Sequence, residues 1–176
     1  MNILVTGGCG YTGSILVNSL LKENHKVTVV DTMWFGNFLK KNRNLKIIKL
    51  DTRDYERIPL KNISSVIHLA NIANDPSVEL NPTLSWEVNV LATQKLIEKC
   101  IDSNVKQFIF ASSGSVYGFK KEKKVTENLS LKPLSTYNKV KMVTERVLLS
   151  YKKYLNVIIL RPATVCGYSP RMRLDV

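Results

Sequence analysis

Tyr137 and Lys141 stand four residues apart in a stretch, 134–154, whose spacing predicts a helix, so the two side chains share one face. A phenol beside an ammonium is expected to ionise more readily, which would bring Tyr137 toward the range of a working acid or base. Upstream, ASSGSVYG at 111–118 follows a predicted strand and offers three hydroxyls, Ser112, Ser113 and Ser115. Side chains at the carboxyl ends of parallel strands face the ligand crevice. Spacing does not choose among the three serines.

A second group of residues has the form of a phosphate cradle. Gly7, Gly10 and Gly13 form a GxxGxxG run that also contains Tyr11 and Thr12, between a predicted strand at 2–6 and a predicted helix at 11–22. Glycine there permits a tight turn, close backbone approach to a pyrophosphate and close packing of helix on strand, while the helix N-terminus presents N–H groups to the anion. Asp31 ends the second predicted strand, 18 residues after Gly13. A carboxylate at that point can accept hydrogen bonds from ribose hydroxyls and repel a 2′-phosphate. No Arg follows within the next few residues, which favours NAD over NADP.

The elements that must position these groups alternate in type along the chain. Apolar or β-branched runs at 2–6, 26–31, 45–50, 65–70, 107–112 and 156–161 read as strands, and 11–22, 81–103 and 134–154 read as helices. Pro82 is acceptable in the first turn of its helix. Strands that are apolar throughout and separated by helices indicate a parallel sheet covered on both faces. The expected class is therefore an α/β, Rossmann-type doubly wound fold with strand order 3-2-1-4-5-6, a single domain over 1–176. The loop 119–133 is basic and polar, and Asn74-Asp75-Pro76 reads as a turn and helix cap that could also face a substrate.

Composition narrows the partners. The net charge is +12, but 19 Lys against 7 Arg and the absence of aromatics among the basic clusters point away from nucleic acid and toward attraction of a small anion. No apolar run approaches a membrane span, and the N-terminus lacks the pattern of a secretory signal. Three cysteines without metal-type spacing fit free thiols in the cytoplasm, and no metal is expected.

Taken in order, TGGCGYTG at 6–13, Asp31, Asp51-Thr52-Arg53-Asp54, HLA at 68–70, Asn89-Val90, SSGSVYG at 112–118, PLSTYNKVK at 133–141 and LRPATV at 160–165 resemble the extended short-chain dehydrogenase/reductase family, in its NAD-dependent nucleotide-sugar epimerase/dehydratase branch. The resemblance implies roles. Tyr137 would be the acid/base, Lys141 would hold the nicotinamide ribose and depress the tyrosine pKa, and Ser113 would bind the reacting sugar oxygen. Asn89 would support the lysine, and Asp51 and Thr52 would flank the adenine. Leu69, Ala70, Asn71 and Ser112 would line the cofactor, with Pro162 and Val165 closing the nicotinamide pocket. Family members commonly pair the helices corresponding to 81–103 and 134–154, so a homodimer is expected.

The resemblance also implies transient oxidation of a sugar hydroxyl, with return of the hydride for epimerisation or loss of water for a dehydratase. The dehydratases carry an Asp-Glu pair just after the serine; here Gly114-Ser115 stands there, which favours an epimerase or simple reductase. Gly114 and Cys166 depart from the family's usual residues. Because the family normally runs past 250 residues, the C-terminal substrate-binding portion is expected to be missing and turnover by this chain alone to be slight. The alternative is a non-catalytic dinucleotide-sensing or scaffold protein on the same fold.

Overall fold

A computed structural model describes residues 1–173. Six parallel strands form one sheet: β1 (Asn2–Thr6), β2 (Lys26–Asp31), β3 (Leu45–Lys49), β4 (Ser65–His68), β5 (Gln107–Ala111) and β6 (Asn156–Leu160), in the spatial order β3-β2-β1-β4-β5-β6. The expected order holds. Its switch point lies between β1, which pairs with β2 on one side, and β4 on the other.

Alternation along the strands divides the core. Ile3, Val5, Val27 and Val29 point to the face covered by helix α1 (Tyr11–Lys22), through Val17. Leu4, Val30, Val66, Phe108 and Phe110 point to the opposite face, where Leu96, Ile97 and Leu148 meet them. Both faces are covered, so the strands are apolar throughout rather than alternating.

The expected helix at 81–103 is a chain of three pieces: α3 (Pro82–Trp86), a π segment (Glu87–Leu91) and α4 (Ala92–Asp102). Ahead of it lies α2 (Asp75–Leu80), which the sequence periodicity did not suggest. Asn74, at φ 69°, caps α2 by accepting from the Ser77 N–H at 3.0 Å, and Asn81 caps α3 by accepting from Leu84 at 3.0 Å. The last helix, α5 (Thr136–Ser150), is shorter at both ends than the expected 134–154, because Ser135 caps it and residues 151–154 turn away. No helix among the described residues is long and apolar enough to cross a membrane.

Candidate active site

The glycine loop joins β1 to α1 at the carboxyl end of the sheet. Gly7 sits at φ +70°, and a Cβ there would lie 2.6 Å from the Ala70 nitrogen; a Cβ on Gly13 would lie 2.3 Å from the Gly7 carbonyl oxygen. Side chains at either position would run into backbone, so the glycines let the loop, the turn after β4 and the start of α1 pack closely about the hollow at the helix N-terminus. The Gly10 N–H donates to the Gly7 carbonyl at 3.1 Å. No side chain caps α1 and no acidic residue occupies its first turn, which leaves its N-terminal N–H groups to an anion. Asp31 reaches across from β2: its carboxylate accepts from the Cys9 N–H at 2.9 Å and the Met33 N–H at 2.7 Å. A backbone cradle beside a helix N-terminus, with a carboxylate at the tip of the next strand, fits a dinucleotide.

The segment after β6 returns over this loop. The Tyr11 hydroxyl donates to the Gly167 carbonyl at 2.5 Å, Ser169 donates to the Tyr11 carbonyl at 2.7 Å, and the Ser14 and Ser169 hydroxyls are 2.9 Å apart. Ser169 is fully buried by this arrangement, although nothing in the local sequence marks it. Thr12 is exposed at the loop's rim.

Across the switch point, β4 and β5 present the second group. Lys141 is buried; its Nζ donates to the Ala111 carbonyl at 2.6 Å and lies 4.7 Å from the Phe110 ring centroid. With the Asn71 amide turned so that its oxygen meets the ammonium, a further bond forms at 3.1 Å. Burial pulls the lysine down to about 7, against the opposing charge of Glu145. Lys141 sits 5.8 Å from the Tyr137 ring centroid. The expected lowering of the tyrosine does not occur: burial and the Asp75 carboxylate push the Tyr137 phenol up, against the pull of Arg173 and of a hydrogen bond with Ser113. Partial burial keeps the proton on the phenol, and an amine already near neutrality offers little counter-charge.

The three serines are told apart by their partners. Ser112 donates to the buried Glu145 carboxylate. Ser115 donates to Asn138 at 2.5 Å. Ser113 hydrogen-bonds Tyr137, and its oxygen lies 2.7 Å from that of Ser115. The Ser112 hydroxyl, expected at the cofactor, is therefore engaged in the interior, where a buried carboxylate needs donors.

Other expected residues divide similarly. Leu69 and Ala70 run on from β4 against β1, with Ala70 N–H donating to the Thr6 hydroxyl at 3.3 Å. Asn89, in the π segment, clamps the Ile72 peptide, accepting at 2.8 Å and donating at 3.1 Å, and so steadies Asn71 beside the lysine. Asp51 is engaged by Arg53 at 2.9 Å; burial would raise its pKa, but the Arg53 bonds hold it below the usual carboxylate range. Thr52 is buried. The Pro162 carbonyl accepts from the Gly114 N–H at 2.7 Å, tying the serine loop to the segment after β6, while Val165 is exposed. Beneath the site, His68 is fully enclosed between the hydroxyls of Thr6 at 2.7 Å and Thr93 at 2.8 Å; burial, with the Lys141 charge, pushes it down to about 3.

Residues 3–175 match the model of the NAD dependent epimerase/dehydratase family. A putative UDP-glucose 4-epimerase of Methanocaldococcus jannaschii is 34% identical over 171 residues, which cover 94% of this chain and 56% of that protein. The UDP-glucose 4-epimerase of Lactobacillus helveticus is 31% identical over 152 residues, 84% of this chain and 46% of its own length. Among solved structures, the UDP-glucose 4-epimerase of Thermus thermophilus in complex with NAD superposes with a TM-score of 0.83 at 31% identity, covering 92% of this chain and 54% of that one. The UDP-N-acetylglucosamine 4-epimerase of Methanobrevibacter ruminantium, in complex with UDP-N-acetylmuramic acid, gives 0.84 at 36% identity, covering 91% and 54%. The chain spans about half the length of the relatives it matches.

Proposed function

The chain belongs to the NAD-dependent epimerase/dehydratase family, and from that premise we propose that it supplies the dinucleotide-binding and proton-handling half of a nucleotide-sugar 4-epimerase. The observation that carries this reading is the meeting of Ser113, Tyr137 and Lys141 at the carboxyl end of the sheet, across the switch point from the Gly7–Gly13 hollow. Intact proton-handling groups favour an enzyme over a sensor or scaffold.

Gly7, Gly10, Tyr11, Thr12 and Gly13 would hold the pyrophosphate of NAD, Asp31 its adenosine ribose, and Asp51 and Thr52 its adenine. Leu69, Ala70, Asn71 and Asn89 would shape the middle of the groove, with Pro162 and Val165 at the nicotinamide end. NAD when bound supplies a hydride acceptor that can return what it takes. Lys141, anchored by Ala111, would direct its ammonium at the neighbouring ribose. Ser113 would hold the reacting sugar oxygen and pass its proton toward Tyr137. Burial and Asp75 keep the resting phenol protonated, so Tyr137 would take that proton only once positive charge beside it has outweighed them and freed the phenolate, and would give the proton back on the return. The Gly114-Ser115 pair supplies no carboxylate for water loss, which supports epimerisation over dehydration.

Exposed apolar residues on the helical layer, Trp86, Leu91 and Leu149, support a homodimer built on these helices. The free thiols Cys9, Cys100 and Cys166 support a cytoplasmic location.

The test uses this chain for NAD binding by calorimetry and the longest reading frame that contains it for turnover of UDP-hexoses. Tyr137→Phe keeps the ring and removes the proton-bearing oxygen, so turnover should fall by about 10²- to 10⁴-fold with NAD affinity unchanged. Near-normal turnover in that variant would refute the acid/base assignment.

A further inference from the structure

Four polar side chains that the proposed chemistry does not use meet beneath the site. Glu145 is 1% exposed and lies one turn beyond Lys141 on α5. Arg161, just past β6, grips it as a fork: Nε donates to the two carboxylate oxygens at 3.0 and 3.2 Å, and Nη2 donates at 2.7 Å. Ser112, just past β5, donates to the same carboxylate, and Arg161 Nη1 donates to the Tyr117 hydroxyl at 2.8 Å. A buried ion pair generally gains little stability over a well-packed apolar pair, so folding energy alone does not account for this one.

Its placement does. Ser112 immediately precedes Ser113, Arg161 immediately precedes Pro162, and Glu145 shares a helix face with Lys141. The carboxylate is thus bonded to the ends of two strands while sitting on the helix that carries Tyr137. We propose that Glu145 is a positioning residue, gripping Ser112 and Arg161 to fix the serine loop against α5 and supplying negative charge to the Lys141 ammonium. This rests on the assignment of Tyr137 and Lys141 to the chemistry.

The groups facing Lys141 are His68 and Asn71 from β4 and the turn after it, Phe110 and the Ala111 carbonyl from β5, and Tyr137 and Glu145 from α5. His68 is neutral at ordinary pH and Tyr137 keeps its proton. Burial lowers the lysine, and Glu145 is the charge that opposes the fall. Arg161 lies behind Glu145 and carries the opposite sign.

The test is a titration of Lys141 in the full chain by nitrogen NMR, with lysine Nζ labelled and the resonance assigned with Lys141→Arg. Glu145→Gln keeps the side-chain shape and removes the charge; the Lys141 midpoint should drop by about one pH unit. In the longest reading frame, the pH profile of kcat should move by the same amount with KM unchanged, which a purely structural loss would not produce. If Glu145→Gln fails to fold, Glu145→Gln with Arg161→Gln removes both charges together, and the midpoint should still fall below the parent's. A Lys141 midpoint equal to the parent's, in whichever variant folds, would overturn the proposal. The NMR titration needs no turnover, so a parent that turns nothing over defeats the functional reading while the titration still decides this one.

Discussion

Lys141 and His68 together make the stability of this domain rise with pH over two separate windows. Lys141 falls from 10.5 in an open chain to about 7 in the fold, so between those values the unfolded chain binds a proton that the folded one does not. The stability associated with the neutral amine is complete above 10.5 and is lost as pH falls to about 7; over the whole window that amounts to about 5 kcal/mol. His68 repeats the pattern lower down, from 6.5 to about 3. The assay is urea unfolding at pH 4, 6, 8 and 9.5, below the range where Tyr137 adds an opposing slope. Each pair of pH values should differ by about 2 kcal/mol from these groups. Lys141→Met should remove most of the rise between pH 8 and 9.5, and His68→Gln most of that between pH 4 and 6. An alkaline rise that survives intact in Lys141→Met would show that the amine is not desolvated as described.

Three further outcomes are expected. Gly13→Ala places a methyl 2.3 Å from the Gly7 carbonyl, so NAD binding measured by calorimetry should be lost while the circular dichroism of the sheet persists; retained affinity would show that the hollow does not seat the pyrophosphate. Asp31→Ala removes both the repulsion of a 2′-phosphate and the anchor of the Cys9 and Met33 N–H groups, so the NAD over NADP ratio should collapse and affinity for both should drop, read from the two calorimetric constants. Sedimentation over a wide concentration range should show dimers that Leu91→Glu, on the exposed face of the π segment, converts to monomers; a parent that stays monomeric at every concentration would defeat the dimer.

Where sequence pattern and fold agree, the pattern concerned the interior. β1, α1 and β2 begin and end where periodicity puts them, because runs such as NILVT and KVTVVD have only one way to bury both faces. The glycine spacing was legible for the same reason, since the constraint is local and steric. The π segment was not: its wide turn carries Asn89 to the Ile72 peptide, a contact across the fold that no helical period records. α2 was hidden by its length, although Asn74 and Pro76 marked its start. The direction of the Tyr137 shift escaped because sequence spacing pairs Tyr137 with Lys141, whereas burial and Asp75, which act on the phenol, depend on packing. Glu145 and Arg161 left no such trace: Glu145 is followed by the exposed Arg146, and Arg161 stands between the exposed Leu160 and Pro162. Recognising them as a pair requires knowing that α5 lies over the ends of β5 and β6.

The clasp between the glycine loop and the segment after β6 bears on the order in which the domain assembles. Its hydrogen bonds join residues 155 to 158 positions apart, whereas the β1–β2 ladder joins residues 24 apart. Loop-closure entropy makes the longer connection dearer by about 1.6 kcal/mol, and Ser169 is brought to Tyr11 and Ser14 only when β6 has docked. Long-range contacts of this kind slow folding and close late. A chain emerging from the ribosome therefore forms the nucleotide hollow among its first contacts and roofs it among its last, leaving the groove open to solvent while the rest of the sheet is being laid down.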